Sequence, residues 1–267
     1  MKQLSKNTLA ACLIGASVMV FSVGCDNKKS AEESQEDTTA TADASAPEAI
    51  NTLTEQEKAE GWQLLFDGTS TDNFRGYTLD SFPTKGWQVK DNVLMVDSSG
   101  AGEEGFGGDI ITKDQYENFE FKVDFKLSPG GNSGIIYLVK EVEGQPSWHN
   151  APEYQLLDNE AYRGGEIPLE KHSTGDNYDL IGSSVNAMKP VGEWNTAMIR
   201  IKDHKVEHWL NGQKLLEYTI QSPEWKELVK KSKFAGYPDY GMADKGHIGI
   251  QDHGHQLWYR NIKVRPL

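Results

Sequence analysis

Along much of this chain, apolar and polar residues alternate. The segments 87–96, 119–127, 134–139, 196–201, 206–210, 247–251 and 257–264 are short, rich in β-branched and aromatic residues, and separated by turn residues. Period-two alternation puts every second side chain on one face, the signature of a half-buried strand. Lys90-Asp91-Asn92 and Asn211-Gly212 fall between paired runs and predict hairpin turns. One helical pattern interrupts: Ser222 is placed to cap it, Pro223 suits its first position, and Trp225, Leu228 and Val229 make one apolar stripe. Thr54 and Glu57 have capping-box spacing and Gly61 supplies a stop, so a second short helix leads into the strands. The pattern predicts an all-β domain of many strands with the 222–229 helix on its outside.

The N-terminal residues follow a different rule. Lys2 and Lys6 precede an apolar run over 9–23 that is too short for a confident membrane span, and Gly24 and Cys25 follow it. This is the layout of a secretory signal over residues 1–24. The junction resembles the lipobox of bacterial lipoproteins, with Ser22 where that box usually has an apolar residue. It implies lipidation at Cys25; the alternative is ordinary cleavage that leaves Cys25 a free thiol. Residues 26–60 hold ten acidic and three basic residues and no aromatic, so they cannot bury enough surface to offset ordering entropy. Segment 25–60 therefore reads as an acidic flexible tether, and 61–267 as the domain. The expected location is outside the inner membrane, lipid-anchored in the cell envelope on the periplasmic side or at the cell surface.

Composition narrows the chemistry. Cys12 and Cys25 are the only cysteines, so the domain holds neither a disulfide nor a thiolate metal site. A net charge of −13 argues against nucleic acid and leaves the membrane only through the N-terminal lipid. There is no Gly-x-Ser-x-Gly elbow, and the glycine-rich 130–134 lacks a P-loop lysine, so it reads as a turn placing Asn132 or Ser133 at the mouth of a cleft. Seven tryptophans and ten tyrosines invite stacking on sugar rings.

Strand parity sorts the polar residues. Glu153 and Gln155 share a face, and so do His247, Gln251 and His253, opposite Ile248 and Ile250. His208 shares a face with aliphatic neighbours, an awkward position unless that face lines a cleft. Asp158 follows Glu153 by five, so a bulge after Gln155 is required to bring it to the same face. His253, His255 and Asp252 make a weak divalent-ion pattern; the sequence requires no cofactor, and a divalent cation is left open.

The blocks GWQLLFDG, GWQVKDNVLMV, GGDIITKDQYENFEFKVDFKL, GGNSGIIYLV, APEYQLLDN, VGEWNTAMIRI, VEHWLNGQKL and GHIGIQDHGHQLWYRNIKV occur in order over 61–267 and closely resemble the 3-keto-disaccharide hydrolase family. The resemblance implies a concanavalin A-like jelly-roll sandwich and cleavage of 3-keto-glycosides by 1,2-elimination or formal hydrolysis. Its polar blocks fall on Glu153, Gln155, Asp158, His208, Gln251, Asp252 and His253. Segment 160–178 departs from the family pattern, which puts substrate identity in question and brings His172 or Arg163 forward as substitutes. Glu153, Gln155 and Asp158 also have the spacing of the Glu-x-Asp-x-x-Glu motif of retaining glucanases, with an amide in the middle and a shortened last carboxylate.

Three readings follow for an oligosaccharide or glycoside ligand: cleavage of 3-keto-glycosides, a non-catalytic sugar-binding sandwich, and ordinary glycoside hydrolysis. The first assigns catalysis to Glu153, His208 and His253, and substrate binding to Asn132, Gln155, Asp158, Gln251 and Asp252. Either histidine suits the base that removes a C2 proton, Glu153 the acid, and Gln155 and Gln251 the donors to an enolate oxygen.

Overall fold

The computed structural model describes residues 49–99, 106–166 and 168–267; the signal segment, Cys25 and most of the tether lie outside them. Thirteen strands run in chain order among the described residues: β1 (Gln63–Leu64), β2 (Phe74–Gly76), β3 (Trp87–Lys90), β4 (Val93–Val96), β5 (Ile110–Thr112), β6 (Phe119–Leu127), β7 (Asn132–Val139), β8 (Glu153–Leu157), β9 (Asn195–Lys202), β10 (Lys205–Leu210), β11 (Gln213–Thr219), β12 (His247–Ile250) and β13 (Leu257–Pro266). They form two antiparallel sheets. The larger has the order β11-β10-β9-β6-β13-β4-β3, with β1 on β13; the smaller has the order β2-β5-β12-β7-β8.

Alternation explains how the sheets meet. In β6, Phe119, Phe121, Val123, Phe125 and Leu127 are buried, while Lys122, Asp124 and Lys126 lie on the other face. From the smaller sheet, Ile135 and Tyr137 of β7, Tyr154 and Leu156 of β8, and Ile248 and Ile250 of β12 enter the same core. This is the expected jelly-roll sandwich. Both hairpins form with left-handed central residues, Asp91 (φ 52) and Asn92 (φ 60), and Asn211 (φ 49) and Gly212 (φ 79); that backbone matches the twist of the strands they join.

Helix α1 (Glu55–Ala59) carries the full capping box between Thr54 and Glu57. Helix α2 (Pro223–Lys230) is capped by Ser222, and its Trp225 stacks on Tyr218 of β11 at 5.1 Å. The ordered fold begins earlier than Gly61. Asn51 is buried and exchanges backbone-to-side-chain hydrogen bonds with Asn261 (2.6 and 2.7 Å), and Glu57 pairs with Lys263 at 2.7 Å. The last ten residues of the expected tether are thus part of the domain, because short polar side chains there satisfy the irregular stretch of β13.

Candidate functional site

The outer face of the smaller sheet is floored by three parallel rows of side chains that the strand register dictates. Gln155 pairs with Gly134 and Glu153 with Ile136, while Leu157 pairs with Asn132. Beyond Ile250 the chain continues beside β7, with the Gln251 N–H donating to the Gly134 carbonyl at 2.9 Å. Glu153, Gln155, Leu157, Asn132, Gln251 and His253 therefore line one cavity of about 240 Å³. Its walls come from elsewhere: Trp148 from a 3-10 turn between β7 and β8, His172 and Tyr178 from the long β8–β9 connection, and Lys233 from the turn after α2.

Gly134 explains where the one floor carboxylate sits. A Cβ on this residue would lie 2.1 Å from Glu153 Oε1, so the carboxylate rests across the bare β7 backbone, and Glu153 is only 6% exposed. Gln155 Nε2 donates to Asn132 Oδ1 (2.9 Å) and to the Ser133 carbonyl (3.0 Å). Those two acceptors fix the amide orientation and turn the Asn132 amide N–H toward His253 Nε2, 3.4 Å away. His253 Nε2 is then the acceptor nitrogen of its ring. Gln155 spends its donors inside the sheet, so it holds the relay to His253 instead of donating to an enolate as expected.

The walls are fastened to the floor. The 175–178 stretch runs along β8: Gly175 N–H donates to Gln155 O (2.9 Å), and Tyr178 N–H donates to Glu153 O (3.1 Å). Asp176 accepts the N–H groups of Ser173 and Ser183, and burial nevertheless pushes its carboxyl up to about 7. Both nitrogens of His172 face acceptors, the Pro168 carbonyl at 2.5 Å and Asp179 at 3.5 Å, and its ring abuts Tyr178. Lys233 Nζ stands 4.1 Å from the Tyr178 ring centroid, 5.2 Å from Phe234 and 5.3 Å from Trp148, an aromatic setting favourable to a cation.

Three expected site residues lie elsewhere. His208 is fully buried between the sheets: Nδ1 donates to the Gly175 carbonyl (2.9 Å), Nε2 faces the Tyr137 hydroxyl (2.9 Å), and burial lowers its pKa to about 4. Parity put it on the aliphatic face because that face is the core. Asp158 stays opposite Glu153, since β8 pairs with β7 without a bulge. Its carboxylate accepts the N–H groups of Gly130 (2.8 Å) and Ala161 (3.2 Å) and shapes two turns. Asp252 accepts from Gly107 (2.7 Å) and Gly254 (3.1 Å), with burial raising its pKa, and does not line the cavity. His247 is likewise outside it, its Nδ1–H donating to the Thr112 carbonyl (2.7 Å) and its Nε2 accepting from the Gln115 amide (2.9 Å) at the start of β12. Arg163 is exposed and paired with Glu160. Among the described residues, no three His, Asp or Glu side chains converge as a metal cluster.

Trp148, Tyr178 and Lys233 were not anticipated. All three sit on irregular connections where no periodicity assigns a face.

Comparison with known proteins places the domain in a family. Residues 61–265 match the family described as the 3-keto-alpha-glucoside-1,2-lyase-like domain. A protein of Bacteroides thetaiotaomicron named 3-keto-disaccharide hydrolase is 34% identical over 96% of this chain and 97% of its own. Among solved structures, a Parabacteroides distasonis protein classed with the glycosyl hydrolases is 36% identical, superposes with a TM-score of 0.74, and is covered completely by 82% of this chain. A second from the same organism is 27% identical with a TM-score of 0.60, over 77% of this chain and 99% of that one.

Proposed function

We propose, since this chain belongs to the 3-keto-α-glucoside-1,2-lyase-like domain family, that it is an enzyme cleaving 3-keto-disaccharides by proton abstraction, elimination and rehydration. The observation that carries the reading is that one cavity holds a carboxyl group, Glu153, and an imidazole, His253, whose acceptor nitrogen is set by the Gln155–Asn132 relay, while both nitrogens of the second imidazole, His172, face protein acceptors. Ordinary double displacement needs two carboxyl groups about 5 Å apart. Among the described residues lining the cavity, Glu153 is the only carboxylate, and Asp158 is committed to its turns.

A ketone at C3 acidifies the C2 proton. The long Asn132 contact to His253 Nε2 (3.4 Å) gives way as the substrate enters, that nitrogen takes the C2 proton, and the electron pair enters the C2–C3 bond as the ketone becomes an enolate. The enolate collapses back to the ketone, forms C1=C2 and expels the C1–O pair; Glu153 protonates the departing oxygen. Water then adds across C1=C2, with hydroxyl at C1 and hydrogen at C2, which completes a net hydrolysis. Lys233 and Gln251 stabilise the enolate oxygen, a preorganised electrostatic contribution that is usually the largest catalytic one. Tyr178 and Trp148 offer ring faces to the sugar.

The test runs the reaction in deuterated water on a 3-keto-glucoside and its unoxidised parent. Deuterium at C2 of the product, with the parent inert, supports the mechanism. Cleavage without C2 exchange would leave direct displacement at C1 as the better account.

A further inference from the structure

The row of outward residues that begins at Gln155 does not end at the cavity. Register carries it across the whole smaller sheet: Gln155 opposite Gly134, Gln251 beside Gly134, then Asp109 next to Ile110, which pairs with Ile250, and last Tyr77, whose N–H donates to the Asp109 carbonyl at 2.8 Å. Adjacent strands stand about 4.8 Å apart, so Tyr77 lies four strands, roughly 19 Å, from Gln155. Over the Asp109–Tyr77 end lies a second cavity of about 400 Å³, walled by Tyr77, Asp109, Gln145, Ser147 and Trp148. Trp148 is common to both cavities. The volume falls within the range of small-molecule sites, about 300–1,000 Å³.

This second cavity is held rigid. The Tyr77 hydroxyl accepts the Val142 N–H (3.1 Å), Asn150 brackets the Lys140 backbone (3.1 and 2.9 Å), and the Ser147 hydroxyl donates to Asp109. Asp109 also accepts the Asp252 N–H at 2.8 Å, and Asp252 stands between Gln251 and His253, both of which line the first cavity. The floor of one cavity is therefore tied directly to the floor of the other. Two aromatic rings with a carboxylate and an amide between them suit a ring with one apolar face and a hydroxylated edge.

We propose that the Tyr77–Gln145–Trp148 cavity is the subsite for the leaving sugar of the disaccharide, with the glycosidic oxygen near Trp148, so that Tyr77 and Gln145 are the residues that select that sugar. The proposal rests on the reading of the first cavity as the place where the 3-keto ring reacts. Occupying the second cavity adds stacking and hydrogen bonds that a methyl aglycone cannot make, and it confers preference for disaccharides over simple glycosides.

The experiment compares kcat/KM for the 3-keto form of an α-linked glucose disaccharide and the 3-keto form of methyl α-glucoside, in wild type, Gln145→Ala and Tyr77→Ala. The expected result is a loss of about tenfold on the disaccharide in each variant, with the methyl glycoside changed by less than about twofold. Gln145→Ala keeps the test decisive if Tyr77→Ala loosens the loop that its hydroxyl holds. Equal losses on both substrates, or no loss on either, with wild type active, would overturn the subsite while leaving the reacting cavity standing. Wild type inert toward both substrates would overturn the reading of the first cavity, and the subsite with it.

Discussion

Replacing His208 with glutamine separates a catalytic histidine from an interior one, because the two roles predict opposite readouts. In the folded chain burial lowers this imidazole from its ordinary 6.5 to about 4, against the Gly175 hydrogen bond, which favours the charged form. Above pH 6.5 it is neutral in both folded and unfolded chains, and its contribution is complete. As pH falls from 6.5 toward 4 the unfolded chain takes up a proton that the folded one refuses, so stability is lost through that window. The displacement amounts to about 3 kcal/mol in full and about 2 kcal/mol already at pH 5. Buried Asp176 and Asp109, raised to about 7 and about 6, act in the opposite direction, losing stability as pH rises. The wild-type curve alone is therefore uninformative, and the difference between wild type and variant is the quantity to measure. Glutamine does not titrate, and it forfeits ring packing and part of the bonding to Tyr137 and Gly175, a cost of about 1–3 kcal/mol at pH 7. Urea unfolding followed by circular dichroism at pH 7, 5 and 4 should show the variant less stable at pH 7 and the gap closing by about 2 kcal/mol at pH 5. Turnover of the folded variant at pH 7 should stay within a few-fold of wild type. Parallel stability curves, or a hundredfold loss of turnover without loss of stability, would refute the interior assignment.

The site itself yields sharper outcomes. His253→Ala and Glu153→Ala should each lower kcat on a 3-keto-glucoside by about a hundredfold or more while the circular dichroism spectrum is kept; wild-type rates in either would remove that residue from the mechanism. Gly134→Ala puts a methyl where Glu153 Oε1 lies, 2.1 Å from the new carbon, and a carboxylate displaced by about 1 Å should cost up to about a hundredfold in kcat; an unimpaired variant would show that the position of Glu153 is not critical. Asp158→Ala should cost about 1 kcal/mol of stability, measured by urea unfolding, from the uncapped Gly130 and Ala161 N–H groups, with kcat nearly unchanged. A large fall in kcat would return Asp158 to the site. Cys25→Ser should move the protein from the membrane fraction to the soluble one if acylation is its anchor, and retention in membranes would count against lipidation.

What was legible in the chain is what strand parity governs. Glu153, Gln155, Gln251 and His253 were assigned to one surface by counting in twos, and they line one cavity because β7, β8 and the end of β12 keep register there. Asp158 and His208 entered the expected site only on assumptions added to parity, with which the family positions agreed, and the structure meets neither assumption. Asp158 needed a bulge that β8 does not contain. His208 needed its apolar face to be a cleft, whereas two partners supplied from far along the chain, the Tyr137 hydroxyl and the Gly175 carbonyl, let a polar ring rest in the core. Such partners leave no mark on the local pattern.

The cavity walls obey no period at all. Trp148, Tyr178 and Lys233 belong to connections whose course is set by long-range bonds, such as Tyr178 N–H to Glu153 O and Lys233 N–H to Asp179. The division has a chemical consequence. On the proposed mechanism the floor supplies the proton-transfer groups on a rigid sheet, where a small displacement would be costly, and the walls supply the ring faces and the cation that would hold a sugar in place. Substitution in the walls can therefore change which glycoside is accepted while Glu153, His253 and the Gln155–Asn132 relay stay put. Segment 160–178 belongs to those walls through His172 and Tyr178 and is tied to the floor by the Gly175 and Tyr178 N–H groups on the Gln155 and Glu153 carbonyls, so on the proposed mechanism its side chains act on recognition while its backbone braces the strand that carries the acid.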